Sequence, residues 1–298
     1  MQASDYSLRT LMTAKILSAQ PLVEQIKNDL TSRCARLKKL GTTPSMCVVL
    51  VGDNPASLTY IKNKKKMCEE VGATFQLVKL PSTINEAEFK HEVQKLNLDP
   101  GIHGIIIQLP VSEHLKRLNI SNLVIPHKDI DGFHGDNTQA IYTGTTDLKL
   151  LLPCTPKGII HLLRFYGVEI AGKHIVVLGR SLIVGKPLSM LLSNFNATVS
   201  LAHSKTENLA ELTKTADILI SAIGKTHFVH AGLLNPNKKT VIIDVGMNTL
   251  DGKLTGDVAH DALEIASAYS PVPGGVGPMT VVTLIENLIT ATENQMKG

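Results

Sequence analysis

Residues 174–187 read HIVVLGRSLIVGKP. His174–Leu178 is an apolar run, Gly179 breaks it, and a helical pattern starts at about Gly185. Strand, glycine turn and helix together form the opening unit of a doubly wound sheet, where a pyrophosphate rests on the helix N-terminus. The match to G-x-G-x-x-G is imperfect, since Gly179, Ser181 and Gly185 stand where three closer glycines would be. Alone, the stretch reads equally well as an ordinary tight turn. The next strand adds information. A ribose 2′-hydroxyl usually meets Asp or Glu about 20 residues beyond the glycines. Here that strand, 198–201, runs into Ala202-His203-Ser204-Lys205-Thr206 and offers no carboxylate. Arg180, Ser204 and Lys205 can instead hold a 2′-phosphate through charge-assisted and hydroxyl hydrogen bonds. The expected cofactor is therefore NADP rather than NAD, although Glu207 lies close by and these charges can also simply face water.

On either side the pattern alternates strand and helix. Before it come a helix over 20–39, a strand over Met46–Val51, a helix over 56–71 and a strand over Thr74–Leu80. A helix opened by Asn85 and a continuous apolar strand, His103–Leu109, follow. Residues 111–150 read as loops. After Pro153, a helix with Thr155 as its cap and Pro156 in first place begins a second series. Its later strands fall at Ile218–Ile220 and Thr240–Val245, and a long helix from Met279 to about Met296 closes the chain. This alternation predicts an α/β protein of two domains with parallel sheets covered by helices. The expected division is 1–153 plus 279–298, a substrate domain to which the closing helix returns, and 154–278, a Rossmann-like cofactor domain.

The first series contains VGDNPASLTYIKNKKK, residues 51–66. Spacings of three and four place Ser57, Tyr60 and Lys64 on one helix face. A hydroxyl, a phenol and an amine so placed can hold a polar substrate and move its protons. Phenol and amine are poor acid/base groups at their free pKa values of about 10, and become useful when their surroundings shift them. A solvated face is the plainer reading, because Lys62, Lys65 and Lys66 crowd the same helix.

Composition narrows the function. No segment reaches the roughly 18 uninterrupted apolar residues that a membrane helix needs. Cys34, Cys47, Cys68 and Cys154 fit no zinc or redox spacing, so no metal site is expected and reduced thiols in a cytoplasmic compartment are. Net charge is +4 without a long basic block and aromatics are only 4%, which points away from nucleic acid. The N-terminus lacks the apolar core of a secretory signal, and Met12 is an alternative start because the orderly pattern begins there.

Eight stretches, in order, resemble the bifunctional methylenetetrahydrofolate dehydrogenase/cyclohydrolases of one-carbon metabolism. They are VGDNPASLTYIKNKK (51–65), GIIIQLP (104–110), PHKDIDGFH (126–134), PCTPKG (153–158), GRSLIVGKP (179–187), AHSKT (202–206), DVGMN (244–248) and PVPGGVGPMT (271–280). The resemblance implies NADP-dependent oxidation of 5,10-methylenetetrahydrofolate, then hydrolysis of the methenyl product to 10-formyltetrahydrofolate, which serves purine biosynthesis. It implies Lys64 as the acid/base residue, Gln108 as the group that orients it, Tyr60 against the folate with Ser57 supporting, and Asp131 with Gly132 as the pterin anchor. For Asp131 a turn before Gly132 remains the plainer reading. Gly274, Gly275, Gly277, Pro278 and Thr280 are expected in a loop near folate and nicotinamide. Gly179, Arg180, Ser181, Gly185, His203, Ser204 and Thr206 are expected around NADP, and the lysines of 62–66 near the folate's glutamate tail. A homodimer joined through the cofactor domains is implied too. Ser270 departs from the family pattern, where threonine is common, as do Gln139-Ala140-Ile141 and Thr226. Tyr60-x-x-x-Lys64 also suggests a short-chain dehydrogenase, but there the glycine motif precedes the tyrosine and here it follows. A nucleotide-binding regulator would have no need of Lys64.

Overall fold

The computed structural model describes residues 14–297. The alternative start at Met12 lies outside them. β1 (Lys15–Ile16) and α1 (Gln20–Lys39) lead into β2 (Ser45–Val51), α2 (Pro55–Glu70), β3 (Thr74–Leu80), α3 (Glu86–Leu98) and β4 (Gly104–Ile107). Short 3-10 turns, α4 (Gly135–Tyr142) and α5 (Cys154–Phe165) connect to the second series. That series runs β5 (His174–Leu178), α6 (Gly185–Asn194), β6 (Thr198–Ala202), α7 (Leu209–Lys214), β7 (Ile218–Ser221) and β8 (Val241–Asp244). It ends with the hairpin β9 (Asn248–Leu250) and β10 (Lys253–Thr255), α8 (His260–Ile265), β11 (Ala268–Tyr269) and α9 (Val276–Gln295).

The first sheet is parallel, ordered β3-β2-β4. Strand alternation sends Met46, Val48 and Leu50 into a core with α1, α2 and α9, and Cys47, Val49 and Val51 into another beneath α3. Burial on both faces is why β2 reads as an unbroken apolar run. The second sheet is also parallel, ordered β1-β11-β8-β7-β5-β6. α9 buries Met279, Val282, Ile285, Leu288 and Ile289 in the first domain's core, so the closing helix does return there. α5 lies between the cores: Cys154 and Leu162 face the first, Ile159, Ile160 and Leu163 the second.

The structure departs from the sequence expectations in several places. Lys15–Ile16 leaves the first domain and pairs with β11, with Leu17 N donating to Tyr269 O at 2.7 Å. That pairing covers an otherwise open strand edge. The expected 111–150 loops contain α4. Thr155 is not a cap: α5 is preceded by Pro153, and the Thr155 hydroxyl instead meets that of Thr280 at 3.0 Å. α9 begins at Val276 rather than Met279, so Gly277, Pro278 and Thr280 lie on a helix, not in a loop. Pro278 fits its first turn because the missing N–H would have had no helical acceptor.

Candidate active site

Gln108 follows β4, and its N–H still donates to Val49 O at 2.9 Å, so it projects from the carboxyl edge of the first sheet. Its amide nitrogen donates to Leu109 O at 2.9 Å, leaving the amide oxygen to accept from Lys64 Nζ at 3.0 Å. Lys64 is half-buried on α2. Ser57, two turns earlier, is buried, and Tyr60 between them reaches Met247 Sδ with its hydroxyl at 3.5 Å. Tyr60 belongs to the first domain and Met247 to the loop after β8, so this contact joins the two domains across the cleft expected between them. On the outer face of α2, Lys65 and Lys66 pair with Glu69 and Glu70 at 3.7 and 3.9 Å. Those carboxylates offset the charge expected to draw a glutamate tail.

Asp131 approaches the same amine from another loop. Burial raises its carboxyl above the ordinary range, and the Lys64 charge opposes that rise. The loop is shaped by Asp129, which accepts from Gly132 N at 3.1 Å, His134 N at 2.7 Å and Asn137 Nδ2 at 2.9 Å. Burial nonetheless pushes Asp129 up to about 6. Gly132 has φ +77°, and a Cβ there would collide with the Leu152 carbonyl. Cys154 also faces this centre. Burial and then Asp131 push its thiol well up, and its Sγ donates to Ile130 O at 3.2 Å.

The glycine-rich segment closes the third side. Gly274 O accepts from Ala19 N at 2.8 Å, and Gly275 immediately precedes α9. A Cβ on Gly277 would lie 4.0 Å from Met247 Cε, so Met247 sits between α2 and the start of α9. Thr280 Oγ1 bonds Thr155 and Val276 O, which directs it into the α5–α9 contact, while Pro278 is exposed.

In the second domain, β6-β5-β7-β8-β11 is the 2-1-3-4-5 order of a doubly wound sheet. Its switch point, where ligands bind outside the carboxyl ends, falls between β5 and β7. Gly179 follows β5 with φ +106°, and the Ala222 carbonyl after β7 occupies the space a Cβ would take. A Cβ on Gly185 would likewise overlap Gly179 O, so both positions need glycine. Ser181 Oγ accepts from Val184 N at 3.1 Å and Gly185 N at 3.4 Å, capping the turn into α6. His203 N donates to Thr206 Oγ1 at 2.9 Å, and Lys205 N to His203 Nδ1 at 3.2 Å. His203 and Thr206 thus shape a turn whose tip exposes Ser204 and Lys205. Arg180 is exposed as well, and the side chains of Arg180, Ser204 and Lys205 have no partner among the described residues. A crevice floored by glycine and rimmed by two cations and a hydroxyl fits a dinucleotide bearing a 2′-phosphate.

Sequence reasoning gave no role to Cys154 or Met247, although both lie within the quoted stretches PCTPKG and DVGMN. Asp257, whose carboxylate accepts backbone N–H bonds from Ile223 at 2.9 Å and Lys225 at 2.8 Å, was not singled out. A lone Asp between Gly256 and Val258 carries no local signal.

Two family descriptions match the chain. Residues 17–131 match "Tetrahydrofolate dehydrogenase/cyclohydrolase, catalytic domain", and residues 153–296 match "Tetrahydrofolate dehydrogenase/cyclohydrolase, NAD(P)-binding domain". The chain is 46% identical over 282 residues to the bifunctional protein FolD of Geobacillus thermodenitrificans, covering 94% of this chain and 98% of that one. It is similar to the solved bifunctional FolD of Campylobacter jejuni, with TM-score 0.90, 38% identity, and coverage of 95% and 99%. It is also similar to the Trypanosoma brucei methylenetetrahydrofolate dehydrogenase-cyclohydrolase complexed with NADP cofactor and inhibitor. There the TM-score is 0.89 and identity 32%, with coverage of 96% and 99%.

Proposed function

The chain belongs to the tetrahydrofolate dehydrogenase/cyclohydrolase family, and on that premise we propose how its own residues divide the work. The enzyme oxidises 5,10-methylenetetrahydrofolate with NADP and hydrolyses the 5,10-methenyl product to 10-formyltetrahydrofolate. NADP, when bound, supplies the hydride acceptor. Residues 1–153 with 279–298 hold the folate and 154–278 the cofactor, with the β1 segment lent to the second sheet.

Loss of hydride leaves a cation delocalised over two folate nitrogens, so the oxidation needs no protein base. What it needs is alignment, which the cleft between the sheets supplies. Hydrolysis does need proton transfer: attacking water loses protons, and a ring nitrogen gains one as the ring opens. Lys64 carries those protons. Gln108 holds the amine in place and accepts one of its hydrogens, leaving the nitrogen's two other positions to face the folate. Asp131 accepts two parallel hydrogen bonds from a pterin ring N–H and 2-amino group. Tyr60 covers the folate, Ser57 supports that face, and Gly274, Gly275 and Gly277 let backbone approach closely. Gly179 and Gly185 floor the cofactor crevice, Ser181, His203 and Thr206 shape its turns, and Arg180, Ser204 and Lys205 take the 2′-phosphate.

One observation carries this reading: Lys64 Nζ is 3.0 Å from Gln108 Oε1, and Asp131 feels the same ammonium charge. The test is a coupled assay with methylenetetrahydrofolate, comparing NADP with NAD and following nicotinamide reduction and methenyl absorbance together. Reduction without methenyl build-up, with 10-formyl product confirmed, supports it. Methenyl build-up would leave only the dehydrogenase half standing.

The activity serves purine biosynthesis in the cytoplasm. Two copies join through their cofactor domains, where Leu182 and Ile183 are exposed at 74% and 44%. A single-chain mass by sedimentation equilibrium would overturn the dimer.

A further inference from the structure

Asp257 is fully buried, yet its carboxylate is among the most heavily engaged groups in the second domain. Oδ2 accepts from Ser221 Oγ at 3.0 Å, Ile223 N at 2.9 Å and Gly224 N at 3.3 Å. Oδ1 accepts from Lys225 N at 2.8 Å and Asn248 Nδ2 at 3.0 Å. Successive backbone amides converging on one anion form a nest of the kind that elsewhere binds phosphate. Here the anion is the protein's own, and it shapes the loop that leaves β7. That loop is one lip of the switch-point crevice, since Ala222 O fills the space beside Gly179.

A second arm runs the other way. Asn248 follows Met247, and Met247 Sδ meets the Tyr60 hydroxyl across the cleft. One carboxylate therefore sets both the cofactor lip and the loop that touches the folate side. Asp257 is itself held from below. Asp244 Oδ1 accepts from Asp257 N at 3.0 Å and Gly246 N at 2.9 Å, and Oδ2 from Val258 N at 3.0 Å. The fit leaves no slack: a Cβ on Gly246 would lie 2.5 Å from Asp257 Cγ, and one on Gly256 would collide with the Asp244 carboxylate. Asp244 in turn receives Ser270, whose hydroxyl accepts from Asp244 N at 2.8 Å just before the glycine-rich segment.

We propose that Asp257 is a positioning residue for hydride transfer: its charge fixes the 222–225 lip and, through Asn248, places Met247 against Tyr60. This rests on the division of labour above, in which methenyl hydrolysis belongs to Lys64 and needs no cofactor lip. An amide at 257 would turn an N–H₂ group toward donors, so the lip would shift while the backbone path survived.

The test uses the full chain carrying Asp257→Asn. Five quantities are read: NADP affinity by titration, KM and kcat of the dehydrogenase, nucleotide-free hydrolysis of methenyltetrahydrofolate, and thermal unfolding. The expected result is a dehydrogenase kcat/KM lower by about 100-fold, the scale of a small misplacement of reacting groups. KM for NADP rises, hydrolysis is retained and a cooperative unfolding transition remains. Unchanged NADP affinity and dehydrogenase efficiency would overturn the proposal, as would equal loss of both activities in a folded protein. Asn248→Leu cuts only the second arm and serves if Asp257→Asn does not fold. It should lower dehydrogenase kcat while KM for NADP stays put, and an unaltered kcat would overturn the proposal. Failure of the underlying reading shows separately, as wild-type hydrolysis that does not respond to substitution of Lys64.

Discussion

Lys64 and Gln108 are joined by a 3.0 Å hydrogen bond across 44 residues of sequence, from α2 to the carboxyl edge of β4. The donor is an ammonium and the acceptor a neutral amide whose other end is tied to Leu109 O at 2.9 Å. The amide is thereby locked with its oxygen toward the lysine. Lys64→Met removes the proposed proton carrier but keeps the chain's length and apolar stem. Methenyl hydrolysis should fall by roughly 100- to 10,000-fold, the usual contribution of a positioned acid/base. Folate binding should stay measurable by titration. Hydrolysis at the wild-type rate would remove Lys64 from the mechanism.

With Asp131 as the proposed pterin anchor, Asp131→Ala should weaken folate by roughly 10- to 100-fold, since two pterin donors would be left buried without acceptors. The pH dependence follows from burial, which raises this carboxyl above the ordinary range against the pull of Lys64. Only the ionised form accepts both hydrogen bonds. As pH falls, that form is lost earlier than for an exposed aspartate, so wild-type folate affinity should decline on the acid side before ordinary carboxylates titrate. Asp131→Asn should flatten that decline. A wild-type profile that is flat across the carboxylate range would rule out an ionised Asp131 as the anchor.

Arg180→Ala should narrow the preference for NADP over NAD by about tenfold, the worth of one charge-assisted hydrogen bond at an exposed site. The effect should appear as a higher KM for NADP with kcat and KM for NAD little altered. It should also shrink in high salt, because exposed charges are screened. An unchanged ratio of the two efficiencies would take Arg180 out of phosphate recognition.

What the sequence disclosed follows from how local each signal is. The ends of β3 and β5 were readable because Pro81 and Gly179 follow them directly. The face shared by Ser57, Tyr60 and Lys64 was readable because helix period alone creates it. α4 was not, since Gly135, Asp136, Asn137 and Thr138 are all poor helix formers. It is held instead by a histidine cap, the His134 ring accepting from Asp136 N at 3.0 Å, and by a bond to a neighbouring turn, Asn137 Nδ2 donating to Pro126 O at 2.9 Å. β1 and β11 have two residues each, too few for any period, and exist only through pairing. Lys64, Gln108 and Asp131 were linked by resemblance, because nothing local relates them. Met247 and Asp257 escaped for the same reason: their partners lie at Tyr60 and at 221–225, brought near by the domain cleft and by the β9–β10 hairpin.

The contact between α5 and α9 should give the fold its acid sensitivity. Lys157 is fully buried, and its ammonium lies 3.1 Å from Glu286 Oε2 and 2.9 Å from Asn287 Oδ1. Asn287 in turn donates at 2.9 Å to Ile130 O, next to Asp131, and to Leu152 O. Burial works against the Glu286 charge, but the His161 ring and Lys157 outweigh it and hold the carboxyl down at about 2. A carboxyl depressed in the folded state stabilises it above the unfolded value of 4.5, and that contribution is lost as pH falls from there toward 2. Asp129 and Asp244, both raised by burial to about 6, have the opposite sign and favour folding as pH drops through that value. Stability should therefore rise as pH falls from neutrality to about 4, because two raised aspartates outweigh one depressed glutamate. It should decline only below the ordinary aspartate value of 3.8, where Glu286 is left as the group that still differs between the folded and unfolded states. Glu286→Gln should remove most of the late decline, and Lys157→Met should cost about 3–5 kcal/mol by stranding a buried carboxylate. Denaturant unfolding of the three proteins across this pH range checks both. A Glu286→Gln curve parallel to wild type below the ordinary glutamate range would show that the acid sensitivity arises elsewhere.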